Sequence, residues 1–215
     1  MADERIVIYP FEQYKDFQEL RYGWGLARLQ KQKKYPERKD LPDYEFYTFD
    51  KSSVKKLKAK ISGWVSSDVV IYIVGHCNAG SRFLSRRDDP SGQTIAANAL
   101  ADELLNLGLS TDFAGKIKVY ACNSAVPDGK KFSFAFWFAA EMRALKYLNC
   151  EISGYANVVS NSYVGEHKVS ADEGVIDKLS EGDVEAVNKY RAKNSRESMN
   201  IPPRLVELIE ARRNK

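Results

Sequence analysis

A histidine and a cysteine each follow an apolar run typical of a buried β-strand. His76 comes after residues 69–74, and Cys122 comes after residues 117–121, 46 positions further along the chain (76 to 122). A thiol beside an imidazole is the smallest set of side chains for nucleophilic acyl transfer, because the thiolate attacks a carbonyl carbon and the imidazolium protonates the departing amine. The two residues are therefore the candidate nucleophile and acid–base group of a hydrolase.

Residue types alone leave other interpretations open. A lone cysteine after a strand is often a small buried apolar residue, and a lone histidine there often fixes a loop. The other candidates are weaker: Cys150 is expected in the core, His167 lies in a polar turn, and Ser124 lacks the Gly-x-Ser-x-Gly turn of serine hydrolases. No Gly-rich phosphate-binding loop is present. The cysteine spacing suits no zinc site, so we expect no metal.

The segments around these residues alternate between strand and helix. Apolar or aromatic runs predict strands at 5–9, 44–49, 69–74, 117–121 and 152–155. This alternation is typical of the α/β class, and we expect a three-layer α/β/α sandwich with a mainly parallel central sheet. Because one helix separates the strands that end at the histidine and the cysteine, these strands should be parallel neighbours with their carboxyl ends at one sheet edge.

Local signals add detail to this plan. Thr94 is expected to cap a helix that stops at Gly108. Residues 132–148 are apolar nearly all round, which predicts a buried helix. Gly23 and Gly25 interrupt an otherwise helical N-terminal segment.

Composition and charge limit the classes of function. The chain has 215 residues, of which 44% are hydrophobic and 29% charged, as in globular proteins. Its length suits one domain over residues 1–215, in which residues 180–215 form a helical extension. The net charge is +4, and basic runs near 28–39 and 51–60 suit either a solvated helix face or an anion-binding surface. These runs alone do not support a nucleic-acid partner.

The cysteine count and the N-terminus bear on location. Three cysteines without disulfide spacing are expected to be reduced, which is typical of the cytoplasm. The N-terminal residues lack the basic and apolar stretch of a signal peptide, and no apolar run approaches the ~20 residues of a membrane span. We therefore expect a cytoplasmic protein without a membrane partner, or one delivered into a host cell by a route that needs no signal peptide.

The two strand endings resemble those of the caspase, clostripain, gingipain and legumain group of cysteine peptidases. In that group one apolar block ends in His-Gly and a second in Ala-Cys or Ser-Cys; here the blocks read VVIYIVGH at 69–76 and IKVYAC at 117–122. Their separation agrees with the ~50 residues between the two in caspases. The order of the pieces is most similar to the cysteine protease domains of RTX toxins, over about residues 5–170. The similar segments are RIVI at 5–8, YTFD at 47–50, ALADEL at 99–104, the Phe-rich segment after the cysteine, and GEHK at 165–168, where those domains have a basic β-flap.

The resemblance implies a caspase-like fold and a Cys122–His76 dyad that cleaves protein or peptide substrates without a required cofactor. It also implies an oxyanion hole formed by the backbone amides of Cys122 and of the residue after His76. That residue is glycine in the family and Cys77 here, and glycine permits backbone geometry that a Cβ disfavours. The chain also has Asn123-Ser124 where caspases have Arg, Gln or Gly and then Gly. The replacement of this glycine by Cys77 is also compatible with a catalytically inactive binding or scaffold module. A different acyl-transfer reaction would need the same Cys122–His76 dyad.

The toxin domains are activated by inositol hexakisphosphate bound at a basic face away from the cleft. The resemblance makes this polyanion the candidate activator here, with Arg28 and Lys168 as candidate binding residues. A bacterial effector or toxin-type protease, latent until it meets a ligand or a host factor, fits this pattern. Arg82 and Arg86 follow His76 in the sequence and are the candidates for a basic substrate pocket, which would prefer an acidic residue before the scissile bond.

Overall fold

The computed structural model describes residues 4–12, 15–37, 43–86, 92–164, 167–171, 173–176, 178–179 and 183–215. Its elements in chain order are β1 (Glu4–Tyr9), α1 (Lys15–Lys34), β2 (Tyr44–Thr48), α2 (Lys51–Ile61), β3 (Val69–Val74), β4 (Phe83–Ser85), β5 (Thr94–Ala96), α3 (Ala97–Asn106), β6 (Lys116–Tyr120), α4 (Phe134–Ala144), β7 (Glu151–Tyr155), β8 (Val158–Val164), β9 (His167–Ala171), α5 (Glu173–Ile176), α6 (Val184–Lys189), a 3-10 helix (Ala192–Asn194), β10 (Arg196–Ser198) and α7 (Pro203–Arg213). No helix among the described residues is long and apolar enough to span a membrane.

Six strands form one sheet in the order β2-β1-β3-β6-β7-β10, in which the first five are parallel and β10 is antiparallel to β7. The order reverses direction at β1, because β2 lies on one side of β1 and the later strands of this sheet lie on the other. Since crossovers between parallel strands are right-handed, this reversal puts α1 on one face of the sheet and α2, α3 and α4 on the other. The predicted α/β/α sandwich with a mainly parallel sheet is confirmed.

The central strand β3 is buried along its whole length. Helices cover both faces of the sheet, which is why the sequence of this strand is apolar without alternation. On the α1 face Trp24 is fully buried and makes edge-to-face contacts with Tyr44, Tyr72 and Tyr120, at ring-centroid distances of 4.9, 5.3 and 5.4 Å. Each such pair contributes about 0.5–1.5 kcal/mol beyond the area it buries. These contacts fix α1 against the two strands that lead to the candidate dyad.

Local structure departs from the sequence prediction at the start of α3. Thr94 does not cap this helix; it begins β5, which pairs with β4 in a two-stranded antiparallel sheet. The N-cap position falls at Ala96, whose side chain makes no cap hydrogen bond. The pairing with β4 replaces the single cap hydrogen bond that Thr94 would accept. In contrast α1 runs through Gly23 and Gly25 without a break, because tertiary packing of its buried face outweighs their low helix propensity.

Two further differences from the sequence prediction concern the length of α4 and the edge strand β10. The helix predicted over 132–148 is shorter, since α4 ends at Ala144 and Lys146 adopts a φ of 72°. The edge strand β10 was not predicted, because three polar residues carry no strand pattern and their pairing with β7 depends on the rest of the sheet.

The C-terminal helix α7 packs on α4 through a buried ionic cluster. Glu141 on α4 is 2% exposed and accepts hydrogen bonds from Arg212 and from Nε of Arg213, the latter at 3.0 Å. Nη2 of Arg213 forms an ion pair with the same carboxylate at 2.8 Å. Arg213 also bonds Asp102 on α3 at 2.6 Å. A carboxylate buried without a cation is costly, so α7 neutralises a charge that α4 would otherwise bury unpaired. The single domain over residues 1–215, with an extension from residue 180, stays a prediction.

Candidate active site

His76 and Cys122 lie at the carboxyl ends of neighbouring parallel strands. β3 pairs with β6 so that Val74 is opposite Tyr120, and the two candidate residues each follow two positions later. Both line one pocket of about 180 Å³, which we call the dyad pocket. It lies where the strand order reverses, beyond the carboxyl ends of β1 and β3, and open α/β sheets bind ligands at such points.

His76 is held by backbone pairing with β4. Its N–H donates to the Ser85 carbonyl at 2.9 Å, and the Ser85 N–H donates back to the His76 carbonyl at 2.9 Å. Gly75 permits this approach, since a Cβ there would stand 3.3 Å from the Ser85 carbonyl oxygen and 3.6 Å from the Phe11 ring. The backbone of His76 is therefore fixed where the residue meets the dyad pocket.

Cys122 stands in a tight turn that two backbone hydrogen bonds attach to the end of β7. The Asn123 N–H donates to the Asn157 carbonyl at 3.1 Å, and the Ala125 N–H donates to the Tyr155 carbonyl at 3.0 Å. Asn123 has a φ of 51°, in the left-handed region that asparagine adopts more readily than most residues. The chain therefore turns sharply at the residue after Cys122, which leaves the thiol at the strand end.

Ser124 has a structural role in this turn. It is fully buried, and its hydroxyl donates to the Val119 carbonyl at 2.8 Å while accepting from the Tyr155 N–H at 3.0 Å. A Cβ on Gly154 would stand 3.0 Å from this hydroxyl and 2.7 Å from the Cβ of Ala135, so the glycine makes room for it. A hydroxyl that is buried and bonded in this way has no access to a substrate.

The three thiols differ in exposure. Cys122 is partly exposed, Cys77 and Cys150 are buried, and all three are free. Burial, with a smaller contribution from the Cys122 thiol, raises the pKa of Cys77 to about 12, and burial raises the pKa of Cys150 to about 11. Because the thiolate is the reactive form, these two remain unreactive at neutral pH. Among the described residues no group of three or more His, Cys, Asp or Glu side chains could hold a metal ion.

Cys77 takes the place of the family glycine without backbone strain. The non-glycine residues with positive φ in the described part of the chain are Asn123 and Lys146, so Cys77 has an ordinary conformation. Its thiol donates to the Asn78 carbonyl at 3.4 Å. Its backbone N–H makes no backbone hydrogen bond in the described part of the chain, and Cys77 does not belong to the lining of the dyad pocket. The replacement therefore keeps the amide that an oxyanion hole requires.

The walls of the dyad pocket are apolar and aromatic. Besides the dyad itself, the lining residues are Tyr9, Phe17, Leu20, Val74, Gly75, Tyr120, Val158 and Val159. They come from β1, α1, β3, β6 and β8 and from the residue after β3. No Asp, Glu, Lys or Arg belongs to this described lining. Walls of this kind favour an apolar side chain as the occupant.

Arg82 and Arg86, the predicted substrate-pocket residues, do not line the dyad pocket. The Arg82 guanidinium lies over the Trp137 ring, 4.0 Å from its centroid. The carbonyl oxygen of Arg86 accepts a hydrogen bond from the Tyr9 hydroxyl at 2.8 Å. Neither arginine belongs to the lining of the dyad pocket, although Arg86 bonds Tyr9, which does. Their role in substrate preference stays a prediction.

A second pocket, of about 200 Å³, is lined by seven basic residues, and we call it the basic pocket. These residues are Arg5, Lys31, Lys118, Lys168, Arg191, Lys193 and Arg196. No acidic residue belongs to its described lining. Burial and neighbouring cations lower the pKa of Lys118 to about 8 and hold the pKa of Lys168 well below its ordinary value. Because like charges in a partly buried site repel, a bound anion would stabilise this arrangement.

Lys168 connects the basic pocket to the aromatic core. Its Nζ lies 2.9 Å from the ring centroid of Trp24 and 4.1 and 5.0 Å from those of Tyr72 and Tyr120. Aromatic faces attract a cation and replace part of its lost hydration. Arg28, the other predicted activator residue, lies outside this pocket and pairs with Asp43 at 3.4 Å. Lys31 belongs to the basic run near 28–39, whereas sequence reasoning missed the other five basic residues because they come from widely separated segments.

Comparisons with known proteins find matches among solved structures but not among family profiles or curated sequences. Seven chains of solved structures match, and one is a secreted C11 cysteine protease from Bacteroides thetaiotaomicron in complex with an irreversible peptide inhibitor. The identity is 9%, the TM-score is 0.42, and the match covers 90% of this chain and 58% of that chain. The chain thus spans little more than half the length of that protease, and a likeness this distant assigns it to no family.

Proposed function

We propose that the chain is a cysteine peptidase with Cys122 as nucleophile and His76 as acid–base group. The observation that carries this proposal is the parallel pairing of β3 with β6, because it puts both residues on one apolar pocket. Of the three thiols, Cys122 alone combines exposure with a histidine on the same pocket. Nucleophilic catalysis by cysteine needs these two properties together.

In the proposed reaction the Cys122 thiol gives its proton to the His76 imidazole, and the sulfur attacks the scissile carbonyl carbon to form a C–S bond. The backbone N–H groups of Cys122 and Cys77 stabilise the oxyanion that develops. His76 then gives the proton to the amine nitrogen as the C–N bond breaks, which leaves a thioester. Water attacks the thioester with His76 as base, and the thiol is restored.

The proposed substrate carries an apolar residue before the scissile bond. The dyad pocket has room for one side chain of about the size of leucine or methionine, and its walls offer apolar contact without a charged partner. A buried charge without a partner is strongly disfavoured, so an acidic or basic side chain would bind poorly there. This preference differs from the acidic preference expected from Arg82 and Arg86.

We further propose that a polyanion such as inositol hexakisphosphate binds the basic pocket and regulates the peptidase. Seven cations without a carboxylate among them suit several phosphate groups at once. β9 carries Lys168 on the basic pocket, and its hairpin partner β8 carries Val158 and Val159 on the dyad pocket. A ligand that draws Lys168 towards itself therefore acts on the walls of the substrate site.

A peptide-library digest read by mass spectrometry tests the peptidase proposal. Wild-type protein is incubated with the library with and without inositol hexakisphosphate, and also with a host-cell extract, since a latent enzyme alone cleaves little. We expect cleavage after leucine or methionine, its loss in Cys122→Ala, and its retention in the control Cys150→Ala. Cleavage that survives in Cys122→Ala would refute the mechanism, and cleavage after charged residues would refute the pocket assignment. Activity that is the same with and without the polyanion would refute only the proposed regulation.

A further inference from the structure

The helix α1 presents apolar side chains on two faces. Phe17, Leu20 and Trp24 are buried against the sheet, whereas Tyr22 and Leu29 are 69% and 63% exposed. Leu26, at 41% exposure, lies between these two at helical spacing, so the outward residues form one stripe. A surface helix normally presents polar residues to water, and an outward apolar stripe marks a contact surface.

This stripe borders a groove of about 620 Å³ between α1 and β2, which is the edge strand of the six-stranded sheet among the described residues. We call it the α1 groove; its lining residues are Gln18, Arg21, Tyr22, Trp24, Gly25, Leu26, Arg28, Leu29, Asp43, Tyr44 and Phe46. The groove shares no lining residue with the dyad pocket; it adjoins the basic pocket, with which it shares Tyr44. Nothing in the proposed reaction uses it.

Gly25 keeps this groove open. Glycine is unfavourable inside a helix, yet it stands in the middle of the 20-residue α1. A Cβ built at Gly25 would have no heavy atom within 4 Å, so packing inside the chain does not require a glycine here. What the missing side chain provides is space above the helix backbone.

The charges around the groove have a dominant sign. Two of its three charged lining residues, Arg21 and Arg28, are basic. Its acidic lining residue, Asp43, pairs with Arg28 at 3.4 Å and is thereby partly neutralised. A positive rim around an apolar floor is complementary to a segment that carries apolar residues between carboxylates.

We infer that the α1 groove binds an acidic amphipathic segment of a partner protein. One large apolar side chain of that segment enters the space above Gly25, and flanking carboxylates pair with Arg21 and compete with Asp43 for Arg28. A membrane surface fits less well, because a bilayer is flat and this site is concave. In both helix-in-groove and edge-strand docking, apolar side chains of the partner insert into a groove or pocket in this way.

Selection from a displayed library of random 12-residue peptides tests the inference. The target is the Cys122→Ala protein, so that no peptide is cleaved, and counter-selection uses the same protein with Gly25→Leu. Leucine occupies the space above residue 25 and improves helix propensity, so the melting temperature should not fall. The selected peptides should combine Leu, Phe or Trp with Asp and Glu. A synthetic copy should bind at least tenfold more weakly to Gly25→Leu and to Leu29→Glu by fluorescence anisotropy.

The matched control is Leu208→Glu on α7, since Leu208 is 56% exposed and lies outside the groove. This variant should bind the peptide as the parent does. Selected peptides without acidic residues, or affinity unchanged by Gly25→Leu, would overturn the inference. So would sedimentation showing a dimer that Gly25→Leu dissociates, or Gly25-dependent binding to anionic vesicles in place of peptide. These readouts need no catalysis, so their failure is distinct from failure of the peptidase proposal.

Discussion

The sulfur of Cys122 lies 3.9 Å from the carbonyl oxygen of Val159, which makes β8 a direct neighbour of the candidate nucleophile. β8 pairs with β9, and β9 carries Lys168 on the basic pocket. One hairpin therefore joins the two pockets. A shift of β8 would therefore move a main-chain carbonyl that borders the candidate nucleophile.

Alkylation should distinguish the three thiols. We expect iodoacetamide at pH 7 to label Cys122 first and Cys77 and Cys150 at least tenfold more slowly, because their raised pKa values of about 12 and 11 and their burial leave little accessible thiolate. Mass spectrometry of peptides after limited labelling gives the rates. Urea-unfolded protein is the control, in which all three should react alike. Preferential labelling of Cys150 in the folded protein would contradict the assignment of the nucleophile.

Substitution of the dyad should separate catalysis from stability. Cys122→Ala should abolish cleavage while changing the free energy of unfolding by no more than about 1–2 kcal/mol, since it removes one partly exposed thiol. His76→Ala should be severely impaired, because the leaving amine then lacks a positioned acid. Chemical denaturation and the peptide assay give the two readouts. Labelling of Cys122 without any cleavage under activating conditions would favour the inactive binding module.

Cys77→Gly tests whether the residue beside the proposed oxyanion hole has a role in catalysis. We expect it to keep or raise activity, because it leaves the backbone amide in place and removes only a buried thiol. The steady-state rate on the best library peptide is the measurement, with Cys150→Gly as the control for loss of a buried thiol. A dead Cys77→Gly enzyme with a normal melting curve would identify Cys77 as the nucleophile instead.

The basic pocket should make stability depend on pH. Lys118 has a pKa of about 8 in the folded chain, against 10.5 for an unperturbed lysine. Below pH 8 Lys118 is protonated in both states, and the folded state carries the full free-energy cost of burying this charge. Between pH 8 and 10.5 the unfolded chain binds more protons than the folded chain, so the free energy of unfolding rises with pH. Lys118→Met should therefore raise the free energy of unfolding by about 1–3 kcal/mol at pH 7 and by less at pH 10. Urea denaturation at both pH values measures this.

Inositol hexakisphosphate should make the wild-type protein more stable than Lys118→Met at pH 7, which reverses the order expected without the ligand. The polyanion offsets the repulsion between the lysines, so it should raise the melting temperature of the wild-type protein more than that of Lys118→Met or Lys168→Met. The exposed Lys58 on α2 offers a control, because Lys58→Met removes a charge outside the basic pocket. An equal response of the control and the pocket variants would show that the ligand acts through net charge alone.

The ionic cluster under α7 should be a stability determinant. Arg213→Ala leaves Glu141, which is 2% exposed, with Arg212 as its remaining partner, and we expect a loss of about 2–4 kcal/mol. The control Arg204→Ala removes an exposed arginine whose contact with Glu207 is 3.9 Å long, and it should cost about 0–1 kcal/mol. Thermal and urea unfolding compare the two. Equal losses would mean that the buried cluster contributes no more than a surface pair.

The sequence by itself determined the strands of the parallel sheet and the meeting of His76 with Cys122. Val69–Val74 is apolar throughout because both faces of β3 are covered, and this local pattern can be recognised without a structure. One helix between two such strands implies parallel neighbours, and parallel neighbours end at the same edge. The position of His76 and Cys122 at one sheet edge could therefore be predicted from two short segments.

Only the tertiary structure decided what surrounds that dyad. Tyr9, Leu20 and Val159 reach the dyad pocket from three separate elements, and Arg5 and Arg196 reach the basic pocket from opposite ends of the chain. Arg82 and Arg86 are near His76 in sequence, yet neither belongs to the lining of the dyad pocket. The physical reason is that burial and pairing fix strand positions locally, whereas the walls of a pocket depend on how distant segments pack once the whole sheet has formed.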